Sequence, residues 1–385
     1  MISRRHLLVL NLGQLVLPAI LFYAWPIVYG TVSVTTIDGR LANDYQWSLI
    51  ALLLSWGIGS VLSGWIFNRV GTRFGSGVGF ALSFIAFLLL GEFYRGNMLI
   101  LISIIVGFSL SFLFMDPVIA RFKEVGYDEK GFNKQVIGLT LVSGFASTFS
   151  YLVLAPVYSK FAWLESNVII IALLLLFFIG YMTALRKSAT HSTNVLQEKP
   201  NYKSLFSRCA LWMTLIFSSQ GIIQTLVFFE IFTSLNRPGE HLDYILFSFA
   251  IIGVAQVVGR LFIILWKGMS GVSMTLLSSV LMLVGALALF YALYVNIYLM
   301  PLFSLFFGAG LGISTIAKPV LINEVFKASF SFFNGFYSGV LNFSRALIPL
   351  AIGVGLLASS QLYIVTLLVC FTLVALISSL IIEFS

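Results

Sequence analysis

Twelve apolar runs, each of 19 residues or more, occupy this chain almost from end to end, at 7–34, 46–67, 75–93, 98–120, 135–159, 167–185, 209–232, 243–266, 272–295, 297–317, 331–357 and 361–382. An α-helix rises 1.5 Å per residue, so about 20 apolar residues span the roughly 30 Å hydrocarbon core of a bilayer. The strands of a membrane barrel would alternate apolar and polar positions over roughly 10 residues, and these runs do not. Only 9% of the 385 residues are charged, against about 25% in soluble domains, which excludes a soluble enzyme. The expectation is an all-α membrane protein of 12 transmembrane helices in two pseudo-symmetric six-helix bundles. Residues 1–185 form the N-terminal bundle, 186–208 a cytoplasmic linker and 209–385 the C-terminal bundle.

A net charge of +8 would suggest nucleic acid in a soluble chain, but in a polytopic one it records basic residues collected in cytoplasmic loops. With both termini cytoplasmic, 16 of the 22 Lys and Arg residues fall in inside loops, among them Arg4, Arg5, Arg69, Arg73, Arg121, Arg186 and Lys318. Four, Arg40, Arg95, Lys160 and Arg237, fall outside, and Arg260 and Arg345 are left within runs. The bias predicts a multi-pass membrane protein, with the bilayer and not nucleic acid as its surroundings, and the expectation is a monomer. Ser3-Arg4-Arg5 ahead of an apolar run resembles a twin-arginine export signal. The run passes 25 residues with no small-residue cleavage site, so we read a cytoplasmic anchor.

No G-x-x-x-x-G-K-[ST] loop occurs, which speaks against ATP-driven transport by this chain. Gly75-Ser76-Gly77-Val78-Gly79 lacks the strand and spacing of a dinucleotide fingerprint, and close helix packing explains it, as it does Gly308, Gly310 and Gly312. His6, His191 and His241 lie in loops or at run ends, and paired carboxylates at membrane depth are missing, so no enzyme activity is expected. Cys209 and Cys370 have no metal or redox spacing and read as apolar fillers. No cofactor or metal is expected.

Six runs, a polar linker and six more runs suit a secondary transporter whose two halves rock around a midplane site. The connection Gly64-Trp65-Ile66-Phe67-Asn68-Arg69-Val70-Gly71-Thr72-Arg73 resembles the cytoplasmic signature of the major facilitator superfamily, G-x-x-x-D-R-x-G-x-R. Asn68 stands at its acidic position, while Gly64, Arg69, Gly71 and Arg73 match. In that family the carboxylate joins a charge relay with Arg and helix ends, so the resemblance implies a weaker latch here. A degenerate echo runs from Gly259 to Gly268. Gln14, Asp116, Gly144-Phe145-Ala146-Ser147-Thr148 and Gly259-Arg260 resemble short bacterial members of the superfamily. The family's R-x-x-x-G pattern departs here, with Ser103 four residues before Gly107, so its Arg-based proton role is not carried over. Gly144 to Pro156 partly resembles the Gly- and Pro-rich run of antiporters.

Candidate site residues follow from the cost of charge in a bilayer, roughly 2.5–3.5 kcal/mol for an Arg at a helix centre on insertion scales. Arg345 stands about a dozen residues from either end of its run and is expected to face the protein interior. Ser338 and Asn342 extend its face into a polar stripe. Gln256 and Arg260 share a face at i, i+4, as do Gln220 and Gln224. Arg345, Arg260, Asn342, Gln256, Gln224 and Gln14 are the expected substrate-binding residues, and Asp116 the proton-coupling or gate residue. The structural alternatives are an Arg345 bonded to carbonyls of a broken helix, an Arg260 snorkelling to the interface, and an Asp116 that merely bounds a helix before Pro117. Lys318 and Glu230, near run ends, read as interface anchors, and Tyr23 and Trp25 as candidates for an apolar flank.

Two guanidiniums against one carboxylate leave the intramembrane part net positive, and guanidiniums recognise carboxylate or phosphate through paired hydrogen bonds. The expected substrate is a small organic anion, with a proton as coupling ion, because a shielded Asp116 carboxyl would favour its neutral form. The competing functions are export of a drug-like or siderophore-like compound by proton antiport, and a channel or non-transporting sensor.

Overall fold

The computed structural model describes residues 3–25, 27–28, 40–93, 96–127, 129–186, 202–235, 242–266, 268–326, 330–354 and 360–383. Among them are helices and turns and no strand. Among the described residues, ten helices are long and apolar enough to cross a membrane, and eleven if the bent pair Lys134–Phe149 and Leu152–Tyr158, meeting at 41°, counts as one span. The chain is a multi-pass, all-α membrane protein. The expected linker over 187–201, residues 29–34 of the first run, 355–357 of the eleventh, and Arg95, Arg237, His241 and Lys267 lie outside the described residues.

The helices are α1 (Arg4–Pro18), α2 (Arg40–Val70), α3 (Thr72–Glu92), α4 (Gly96–Leu113), α5 (Met115–Glu124), α6 (Glu129–Ser143), α7 (Ala146–Phe149), α8 (Ala155–Lys160) and α9 (Trp163–Ala184) in the first half. The second half holds α10 (Arg208–Thr225), α11 (Phe232–Leu235), α12 (Leu242–Leu265), α13 (Gly271–Tyr294), α14 (Met300–Val325), α15 (Phe330–Gly353) and α16 (Gln361–Glu383). Three stretches widen into π-helix, at Ala19–Tyr23, Ser150–Leu154 and Leu226–Ile231. At the N-terminus the Ser3 hydroxyl accepts from the His6 N–H and caps α1, so Arg4 and Arg5 open its first turn.

Twelve spans were expected, and the shortfall lies in α15 and in the fifth run. Asn334, Ser338, Asn342, Ser344 and Arg345 lower the mean hydropathy of α15, so this 24-residue helix is not among the ten. Its polar face is buried instead, with all five side chains at 7% exposure or less. The fifth run is broken by a turn at Gly144 and Phe145 and by the π segment before Pro156. Many of the basic residues assigned to loops prove helical, among them Arg4, Arg5, Arg69, Arg73, Arg208, Arg121 and Lys318. Lys318 lies inside α14, which continues eight residues past the expected end at 317, and Arg121 lies in the last turn of α5, where it is buried.

Two compact units emerge: Met1–Lys199 with Ala328–Gly339, and Pro200–Lys327 with Val340–Ser385. The start of α15 thus groups with the first unit, where Gly335 allows backbone approach to Ser60 of α2 and Phe330 stacks edge-on against Phe132 of α6.

Within each unit one helix packs against two others. In the first, α4 lies on α2 and α3; in the second, α14 lies on α12 and α13. In α14, any side chain at Gly308, Gly310 or Gly312 would strike the backbone of α12 or α13, which supports the packing role expected for these glycines. The same helix-end device recurs in both. Gly71, with φ +95°, turns the chain into α3, whose first residue Thr72 donates its N–H and its hydroxyl to the Glu124 carboxylate at 3.0 Å. Gly268, with φ +92°, precedes α13, whose Gly271 N–H donates to both oxygens of the Glu324 carboxylate at 3.0 Å. In each case a carboxylate near the end of the fourth span or its counterpart satisfies a free N–H and meets the positive end of a helix dipole.

Candidate functional site

Arg345 is 7% exposed and sits in the second half of α15. Its Nη1 donates to Asn342 Oδ1 at 2.7 Å and its Nη2 to Gln224 Oε1 on α10. The structure thus brings together three of the expected site residues. Pro349 explains why the backbone here is unusual. A proline has no N–H, so the carbonyl four residues before it, that of Arg345, loses its helical donor. The Thr225 hydroxyl replaces it, donating to the Arg345 carbonyl oxygen at 2.9 Å. Thr225 is the last residue of α10 before the π segment Leu226–Ile231. Arg345 is consequently anchored at both ends, its guanidinium by two neutral amides and its backbone carbonyl by a neighbouring helix. Gln220, one turn before Gln224, is also buried.

Arg260 and Gln256 form a second group, on α12. Arg260 is 1% exposed, so it does not snorkel to an interface. Its Nε donates to the Gly312 carbonyl at 3.3 Å and to Thr315 Oγ1 at 3.2 Å, and its Nη2 to Gln256 Oε1 at 3.3 Å. These bonds tie α12 to α14 where Gly312 lets the two backbones approach, a structural role for at least one edge of the guanidinium.

Gln14 is fully buried in α1. Its Nε2 donates to the Leu113 carbonyl at 2.8 Å and to the Tyr181 hydroxyl at 2.9 Å, and Tyr181 in turn donates to the Leu10 carbonyl at 3.2 Å. The Leu113 carbonyl is the one that Pro117 deprives of a helical donor, between α4 and α5. With both amide hydrogens engaged by protein, Gln14 joins α1, α4 and α9 and keeps only its Oε1 for any other partner.

Asp116 begins α5 and is half-buried. Asn334 Nδ2 donates to its Oδ1 at 2.9 Å, and Ser63, Gly64, Phe67, Phe330 and Gly335 surround the pair. Of the signature residues, Gly64 is buried beside Gly335, and Arg69 stacks over the Trp65 ring at 4.1 Å to its centroid. Gly71 makes the turn and Arg73 is exposed. The carboxylate that meets a helix end here is that of Glu124, which also holds Arg121 Nη1 at 2.9 Å. Trp25 is buried and Tyr23 half-buried beside Phe22.

Sequence reasoning did not find Thr225, Asn334, Tyr181, Thr315, Glu124 or Glu324. For Asn334 the signal was present, since it continues the stripe of Ser338 and Asn342 at four-residue spacing. For the two glutamates it was their separation of 200 residues, close to the 197 between the turn glycines Gly71 and Gly268. A scan against protein-family models and a search of curated proteins find no match for this chain.

Proposed function

We propose that the protein is a secondary transporter of the major facilitator superfamily that moves a small organic anion by alternating access, with Arg345 as its principal ligand. The observation that carries this reading is the Arg345 guanidinium, buried in a membrane protein and held by the neutral amides of Asn342 and Gln224. A charge is expensive at membrane depth, and a planar fork fixed by two side chains suits bidentate recognition of a carboxylate or phosphate. The π segment that follows α10 and the proline inside α15 support it, because irregular backbone in a membrane helix is tolerated where it is bonded by protein or lines a cavity. Asp116, engaged by Asn334, serves in this reading as a gate that proton uptake would loosen.

The test is a thermal-shift screen of the purified protein against carboxylates, phosphates, sugars and amphipathic cations, repeated on Arg345→Ala. Stabilisation by anions that vanishes in the variant is expected. Stabilisation by cations alone would sink the anion reading in favour of drug-like export, and absence of counterflow in proteoliposomes would leave a channel or sensor.

A further inference from the structure

Away from the Arg345 group, α3 and α9 leave between them a groove of about 820 Å³. Its walls are two helical stripes. Phe74, Gly77, Val78 and Ala81 line it from α3, and Phe178 and Met182 from α9 with Leu185 just past its end, each set recurring at the three- and four-residue spacing that places side chains on one face. A stripe of seven residues runs about 10 Å along the helix from its end. Phe74 is 57% exposed, so the apolar wall is open. Gly77 adds depth, because a methyl group placed there would meet nothing nearer than Met182 Sδ at 3.9 Å.

One end of the groove is basic. Arg73 in the first turn of α3, Arg121 at the end of α5 and Arg186 just beyond α9 all line it, with Glu124 the only acid among the lining residues. Glu124 is already committed to Thr72 and to Arg121. Arg121 is 9% exposed; its Nη1 is held by Glu124, its Nη2 donates to the Arg186 carbonyl at 3.4 Å, and its Nε is buried without a hydrogen-bond partner. A buried, charged donor with no acceptor is costly, and an anion seated in the groove beside the arginines would offset the positive charge gathered there.

We propose that this groove binds one anionic phospholipid, its phosphate held by Arg73, Arg121 and Arg186 and the upper part of an acyl chain lying along Phe74, Val78, Phe178 and Met182. The combination of a basic end and an exposed apolar wall on a membrane-spanning helix suits a lipid rather than a soluble phosphate, which would leave the wall unused. Basic pockets between membrane helices recognise acidic lipid headgroups in this way.

The test uses the full chain, purified and delipidated in detergent, with phosphatidylglycerol, phosphatidylcholine or glycerol 3-phosphate added, read by native mass spectrometry and thermal unfolding. Phosphatidylglycerol is expected to bind about tenfold more tightly than phosphatidylcholine, and glycerol 3-phosphate not to stabilise. The preference is expected to disappear in the double variant Arg73→Gln, Arg186→Gln, whose positions are exposed and tolerate the change, and to persist in Arg208→Gln, outside the groove. Gly77→Phe, which fills the apolar arm, should weaken phosphatidylglycerol binding. Equal binding of the two lipids, or a preference that survives the double arginine variant, overturns the proposal. Stabilisation by glycerol 3-phosphate to the same extent as by the lipid also overturns it, in favour of a free-phosphate site. If Gly77→Phe fails to fold, the arginine variant alone decides.

Discussion

The hydroxyl of Thr225 donates to the carbonyl oxygen of Arg345 at 2.9 Å, supplying the hydrogen bond that Pro349 removes from α15. The bond sets the height of Arg345 against α10 and so places the guanidinium beside Gln224. Thr225→Val keeps the shape but leaves a buried carbonyl unsatisfied, an expected loss of about 1–3 kcal/mol. Thr225→Ser should lose much less. Thermal unfolding of the two variants in one detergent checks this, and equal midpoints would show that the bond contributes nothing.

Gln14 performs the corresponding service for the Leu113 carbonyl freed by Pro117. Gln14→Leu should destabilise the fold by about 1–3 kcal/mol while leaving the anion affinity of the folded fraction unchanged. A tenfold loss of affinity at unaltered stability would instead return Gln14 to the substrate site, where its sequence position had placed it.

The two glutamate caps should differ in weight. Both are exposed, but Glu124 takes two bonds from Thr72 and an ion pair from Arg121, whereas Glu324 takes a single N–H. Glu124→Ala is expected to cost about 1–2 kcal/mol, and Glu324→Ala a few tenths to about 1 kcal/mol. Chemical or thermal unfolding of both variants measures the ratio, and a larger loss at Glu324 would contradict the assignment.

Asp116→Asn retains an oxygen that can accept from Asn334 but removes the charge. If Asp116 carries the coupling proton, uptake into proteoliposomes loses its dependence on a pH gradient in this variant. If it acts only through the bond to Asn334, gradient dependence persists in Asp116→Asn, and Asp116→Ala impairs transport at any gradient.

An Arg345→Lys variant keeps the charge and loses the fork. Because Asn342 and Gln224 hold two separate nitrogens, a single ammonium cannot meet both, and about a tenfold or greater loss of anion stabilisation is expected. Full retention would mean that charge alone recruits the ligand.

The apolar runs by themselves determined the class of this protein, because a continuous stretch of about 20 apolar residues has few places to go other than across a bilayer as a helix. They also made Arg345 and Asn342 legible as neighbours, since helical periodicity puts residues three or four apart on a common face and a lone intramembrane charge stands out against that background. Lys318 and Arg121 were misplaced for the converse reason. A basic residue reads as a loop marker in hydropathy, yet a helix continues through it once a partner such as Glu124 lies within reach. What only the tertiary structure decided is which proline-freed carbonyl finds which donor, and that Arg260 bonds the Gly312 carbonyl while Arg345 bonds side-chain amides. Apart from Arg345 to Asn342, those pairings join residues from 52 to 121 positions apart in the chain, and separations of that size leave no periodic trace in a single sequence.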